Sequence, residues 1–161
     1  MSDIIIRDIH NRYRKWVNDL LVKEWGSTQM VSRGRIHEVT DLPGFVAIYD
    51  GQPQGLITYN IEGDKCELVT LNSLIERQGI GSALINEVRS VAHTKGCRFL
   101  WLITTNDNTY AFKFYQKMGF VVVAYHLGAI EESRKLKPGI PQFGIEGVPI
   151  RDEIELQLSL G

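Results

Sequence analysis

The chain has 161 residues, 43% of them hydrophobic and 23% charged, with a formal net charge of −1. That length suits one domain over residues 1–161, large enough to bury roughly two-thirds of its unfolded surface, and the balanced charge provides no global field for nucleic acid or an anionic membrane. No apolar run approaches the ~18 residues that span a bilayer, and Met1 to Arg7 carries only three consecutive isoleucines, too few for a signal peptide.

In chain order, Ile4 to Arg7 reads as a short strand. Arg12 to Trp25 reads as a helix, because Trp16 and Leu20, and Val17 and Leu21, recur at i, i+4 spacing and Gly26 follows as a stop. Arg12, Arg14 and Lys15 then form a solvated helix face. Ser27 to Pro43 is polar and weakly periodic, with room for a second short helix. Phe45 to Tyr49, Gly55 to Ile61 and Cys66 to Leu71 read as three strands. The Asp50-Gly51 and Glu62-Gly63-Asp64 turns join them into an antiparallel meander.

The pattern then changes. Leu84, Ile85, Val88, Val91 and Ala92 make one helical stripe closed by Gly96. Phe99 to Ile103 is nearly uninterrupted hydrophobe, as in a strand covered on both faces. Ala111, Phe114, Tyr115 and Met118 follow with helical spacing up to Gly119, and Val121 to Tyr125 reads as another buried strand. Ala129 to Lys135 is a short helix, followed by a turn over residues 137–141 and a glycine-rich loop to Pro149. Finally Ile154, Leu156, Leu158 and Leu160 alternate with Glu153, Glu155, Gln157 and Ser159, a half-buried strand. A meander feeding β-α-β-α-β is an α/β arrangement with a mixed sheet and helices packed on it. Cys66 and Cys97 lie in apolar runs without CxxC spacing, as reduced core cysteines of a cytoplasmic protein do.

One stretch points to chemistry. In Glu76-Arg77-Gln78-Gly79-Ile80-Gly81-Ser82-Ala83-Leu84, two glycines turn the backbone straight into a helix. Backbone donors at Gln78, Gly79, Ile80, Gly81 and Ser82 would face one concavity, reinforced by the positive end of the helix dipole, and Arg77 would add countercharge. The turn lacks the lysine of a P-loop and the third glycine of a dinucleotide fingerprint. Alone, it reads equally well as a phosphate cradle or as a packing turn.

The second motif is Asn108-Thr109-Tyr110-Ala111-Phe112-Lys113-Phe114-Tyr115-Gln116-Lys117-Met118-Gly119-Phe120. It opens on a good N-cap and ends on a glycine C-cap before an aromatic strand start. Together, in this order, the two motifs resemble those of the GCN5-related N-acetyltransferase (GNAT) superfamily. The family pattern Gln/Arg-x-x-Gly-x-Gly/Ala matches at both glycines. The pattern Asn-x-x-Ala-x-x-x-Tyr-x-x-x-Gly-Phe matches at each fixed position. Glu76 stands where the family usually has Gln or Arg.

The resemblance implies the GNAT fold, a central mixed, mostly antiparallel sheet flanked by helices. It implies transfer of an acetyl group from acetyl-CoA to an amine, without a metal. Pantetheine would lie along Val69, Thr70 and Leu71; Asn108 would touch the cofactor; Tyr115 would lie near its sulfur. A dimer is common among such proteins. The alternative is an acyl-CoA sensor without turnover.

An alkylamine with a pKa near 10.4 is almost wholly protonated at pH 7, so a base must remove a proton before it attacks the thioester. Glu67, on the strand nearest the expected thioester, is the candidate; by position alone it also reads as a solvated residue at a strand start. His126 is a second candidate, while His10, His37 and His93 have no supporting context. Tyr115 suits protonation of the departing thiolate, and equally suits a core aromatic. Among the possible acceptor contacts, Arg134, Lys135, Lys137 and Arg151 are interleaved with Glu131, Glu132 and Asp152, which reads as a solvated mixed-charge surface.

Overall fold

The computed structural model describes residues 3–161. Met1 and Ser2, where the expected domain and the N-terminal reading begin, lie outside the described residues. The strands in chain order are β1 (Ile4–Asp8), β2 (Gln29–Ser32), β3 (Arg35–Glu38), β4 (Gly44–Tyr49), β5 (Gln52–Glu62), β6 (Lys65–Ser73), β7 (Phe99–Thr105), β8 (Val121–His126) and β9 (Glu153–Ser159). The helices are α1 (Arg14–Trp25), α2 (Ile80–Thr94), α3 (Thr109–Lys117) and α4 (Ala129–Leu136).

Seven strands form one sheet in the order β1-β4-β5-β6-β7-β9-β8, and β2 and β3 form a separate hairpin. Every pairing in the large sheet is antiparallel except β6 with β7. That exception follows from α2, since parallel neighbours need a crossover long enough to return the chain.

Strand alternation sends side chains to two cores. Phe45, Ala47, Ile57, Cys66, Leu68, Leu100 and Leu102 meet Ile80, Leu84, Ile85 and Val88 of α2 on one face. Val46 and Leu56 meet Val17, Leu20 and Leu21 of α1 on the other. Each Leu, Ile or Val that α2 buries contributes about 1.5–3 kcal/mol. The expected meander, the α2 and α3 stripes and the C-terminal strand are all present, and Cys66 and Cys97 are buried free thiols.

Two expectations need correction. No helix forms between residues 27 and 43 beyond a single 3-10 turn at Val39–Asp41; the segment is mainly the β2–β3 hairpin. Its two-residue turn is Arg33-Gly34, both with positive φ (48° and 75°), the backbone signature of a tight hairpin turn. Nor is β8 buried: Val121, Val122 and Val123 are 59%, 42% and 47% exposed. This strand is the outer edge of the sheet and pairs with β9 alone, through a register shift that leaves Val123 unmatched.

Candidate active site

The sheet opens where β6 meets β7. These strands pair only at Lys65–Phe99, Cys66–Leu100 and Glu67–Trp101, although β6 continues to Ser73 and β7 to Thr105. Beyond Glu67 they diverge into a wedge. The bend has a local cause on the other side of β6. Thr70 pairs with Thr58 and Leu68 with Tyr59, so Val69 is an extra residue that bulges the strand. Beyond Glu67, β6 pairs with β5 alone, so the backbone groups on its β7 side have no strand partner among the described residues. The Thr70 hydroxyl itself is taken, bonded to Thr58 Oγ1 at 2.7 Å in the sheet interior.

The glycine turn closes the open end of the wedge, between β6 and α2. Gly79 has φ 77° and caps α2 without a side-chain bond; Arg77 is also left-handed, at φ 63°. Among the described residues, the N–H groups of Gln78, Gly79, Ile80, Gly81 and Ser82 meet no protein acceptor, and the first bond of the helix runs from Ala83 N–H to Gly79 O. Five donors therefore lie together at the positive end of a fifteen-residue helix. Tyr49 donates to Gln78 Oε1 at 3.1 Å and fixes that side chain against β4. Glu76 and Arg77 are exposed. Gly81 lies under the Phe114 ring, where a Cβ would sit 3.1 Å from Cζ, so its second role is to let α3 approach α2.

On α3, Asn108 Oδ1 accepts from Ala111 N–H at 3.1 Å, so this side chain is an N-cap in the structure. The half-buried Tyr115 ring packs edge-on against Phe114 and Phe120, with centroids 5.4 and 5.7 Å away. Burial pushes its phenol well above the ordinary value, so it keeps its proton at neutral pH.

Glu67 sits at the apex of the wedge. The reading of a solvated residue at a strand start is wrong: it is 5% exposed. Its neighbours Cys66 and Leu68 point to the α2 core, and Glu67 points to the opposite face, where the β2–β3 hairpin covers it. Burial pushes its carboxyl up to about 7. Glu62 and Glu153 act in the same direction, and the Ser32 hydroxyl and Arg35 oppose it.

His37, which had no supporting context in the sequence, is Glu67's close partner. Its Nε2 lies 3.2 Å from Glu67 Oε1 with both side chains buried. The approach is off-line for a hydrogen bond, and Nε2 has no bonded partner. Burial, then Arg35, pushes the imidazole down, so both shifts favour a neutral carboxyl beside a neutral imidazole. Ser32 Oγ also lies close to this carboxylate yet lacks a hydrogen-bond partner.

His126 belongs elsewhere. It pairs with Glu155 at 3.1 Å between β8 and β9, and no contact joins it to Glu67 among the described residues. The basic residues near the C-terminus are not simply a solvated surface either. Arg134 donates to the carbonyls of Ile140, Pro141 and Ile150, clamping the loop after α4. Arg151 pairs with the fully buried Asp152, and Lys137 donates to Gln29 O.

A mixed sheet splayed at one parallel pair, beside a glycine turn that starts a helix, is the fold of the GCN5-related N-acetyltransferases. Residues 8–120 match the acetyltransferase (GNAT) family, and the chain belongs to that family. It is 42% identical over 139 residues to the uncharacterised Bacillus subtilis protein YdhI, covering 86% of this chain and 87% of that one. Among solved structures it is similar to the IAA acetyltransferase from Bacillus cereus, with a TM-score of 0.77 at 19% identity and coverage of 98% and 99%. A Bacillus subtilis acetyltransferase in complex with CoA aligns with a TM-score of 0.67 at 15% identity over 99% of both chains.

Proposed function

We propose that the protein transfers the acetyl group of acetyl-CoA to a primary amine by direct attack on the thioester. The observation that carries this reading is the wedge between β6 and β7, with a buried carboxylate at its apex and five free backbone donors at its open end. The donors of Gln78 to Ser82, aided by Arg77, suit the pyrophosphate of coenzyme A. Val69, Thr70 and Leu71 offer backbone groups to pantetheine as a neighbouring strand would, and Asn108 supplies its free amide nitrogen to the same ligand.

Glu67 then takes one proton from the acceptor ammonium. The amine nitrogen forms a bond to the thioester carbon, and a backbone N–H of β6 near the Val69 bulge holds the resulting oxyanion. Collapse breaks the carbon–sulfur bond, and the nitrogen gives its remaining extra proton to solvent water. The thiolate takes a proton from Tyr115, whose buried phenol is protonated at neutral pH, and water then returns one to Tyr115.

Thermal unfolding with acetyl-CoA, coenzyme A and ATP tests the cofactor. At a hundred times its dissociation constant a ligand adds about 2.7 kcal/mol, which raises the midpoint of a chain this size by about 5–10 °C. Acetyl-CoA and coenzyme A should give that shift and ATP should not. No shift with either coenzyme would reduce the glycine turn to packing.

Tyr115→Phe should lower kcat about tenfold to a hundredfold while the coenzyme A dissociation constant stays within about twofold. Equal kcat for the two proteins would remove the phenol from the chemistry.

A further inference from the structure

The wedge accounts for the cofactor and leaves a second cavity unused. It has a volume of about 120 Å³ and lies on the opposite face from α2, roofed by the β2–β3 hairpin. Glu67 and Ser32 form its deep wall, Trp101 its side, and Arg35, Glu62 and Lys65 its mouth. We propose that this cavity is the acceptor pocket and that it selects a small primary amine carrying a carboxylate, an amino acid whose amine points to Glu67 and whose carboxylate meets Lys65 and Arg35. This rests on the reading of Glu67 as the base.

Three observations carry it. First, the deep wall is built for hydrogen-bond donors. Ser32 is 8% exposed, and its hydroxyl lies beside the Glu67 carboxylate without a well-formed hydrogen bond among the described residues. A buried hydroxyl left unmatched is costly, and an ammonium or amine N–H would satisfy it.

Second, the mouth has cationic capacity to spare. Lys65 makes no ion pair among the described residues. Arg35 is paired with Glu62, but both side chains are more than half exposed, so the pair is weak and can be exchanged. Arg33, by contrast, is committed. Its Nη1 and backbone N–H both donate to the buried Glu153, at 2.9 and 3.3 Å, which makes it wall and not ligand.

Third, the spacing is short. Lys65 and Glu67 share one face of β6 two residues apart, roughly 7 Å along the strand. The volume is below the ~150 Å³ that encloses a benzene. An amine and a carboxylate separated by a few carbons span that distance; a bulky acceptor does not enter.

The test compares each of glycine, β-alanine, γ-aminobutyrate and δ-aminovalerate with its decarboxylated counterpart, methylamine to butylamine, at saturating acetyl-CoA. Two exchangeable surface charge contacts predict kcat/KM about tenfold higher for the best amino acid than for its amine. Arg35→Ala and Lys65→Ala should each shrink that ratio about threefold to fivefold, through KM. Calorimetry on the CoA-saturated protein reads the same preference without turnover. Amino acid binding lost in both variants but unaccompanied by acetylation would uphold the pocket and sink the reaction. A ratio near one in rate and in binding, or one indifferent to both variants, would overturn the pocket. So would a lysine peptide used as well as the best amino acid, or an absence of both binding and turnover.

Discussion

Replacing Glu67 by glutamine should lower kcat by about a hundredfold to ten-thousandfold, the range a positioned general base supplies. The apparent affinity for acetyl-CoA should not change, because Glu67 lies at the apex of the wedge, away from the glycine turn. The wild-type rate should carry the titration of this group. With its carboxyl pushed up to about 7, kcat/KM falls about tenfold per pH unit below that value and levels off above it. The glutamine variant should lose the level region: with no base its rate follows the free-amine fraction and keeps rising about tenfold per pH unit through pH 8, toward the amine's own pKa near 10.4. A variant with unchanged kcat, or one whose rate still levels off above about pH 7, would assign the base elsewhere.

The same substitution separates chemistry from folding. A carboxyl whose folded pKa is raised favours the fold while protonated. That contribution is complete below the ordinary value of 4.5 and lost as pH rises through about 7. Glutamine has no charge to desolvate. The variant should therefore match the wild type near pH 4 and exceed it by about 1–3 kcal/mol at pH 8. Loss of activity from a protein more stable at pH 8 cannot be blamed on unfolding. His37 does not offset this burden, since a neutral imidazole 3.2 Å away brings no positive charge.

The parts of this site that the sequence showed are those encoded within one element or one turn. The α2 stripe, the Gly79-Ile80-Gly81 turn and the Asn108 cap each depend on residues a few positions apart, and each is where its pattern put it. The environment of Glu67 was not legible because it is made by chain thirty or more residues away. Ser32 and His37 reach it from a hairpin of two four-residue strands, too short and polar to show a period. The available clue was Arg33-Gly34, a glycine-containing pair between Val31-Ser32 and Arg35-Ile36-His37, weaker than Asn-Gly or Asp-Gly but able to take two positive φ values. The valine run of β8 misled for the complementary reason: hydrophobicity marks a strand, while its place at the sheet edge is set by the order of all seven.

Gly81→Asp should abolish coenzyme A binding, and the comparison with Gly81→Ala identifies why. Both substitutions add a Cβ 3.1 Å from the Phe114 ring, so α3 must give slightly in each. Alanine should therefore weaken binding only a few-fold, with a small loss of stability. Aspartate adds a negative charge among the donors from Gln78 to Ser82, where a pyrophosphate would lie. At about 5 Å and an effective dielectric near 20, each phosphate charge then meets about 3 kcal/mol of repulsion, at least a hundredfold in affinity. A carboxylate near these donors also favours the helix in the absence of ligand, as anions do at a positive helix end. The aspartate variant should thus be folded, no less stable than the alanine variant, and unresponsive to acetyl-CoA in thermal unfolding. Equal binding by the two variants would mean that position 81 serves the approach of α3 to α2 and that the anion site lies elsewhere.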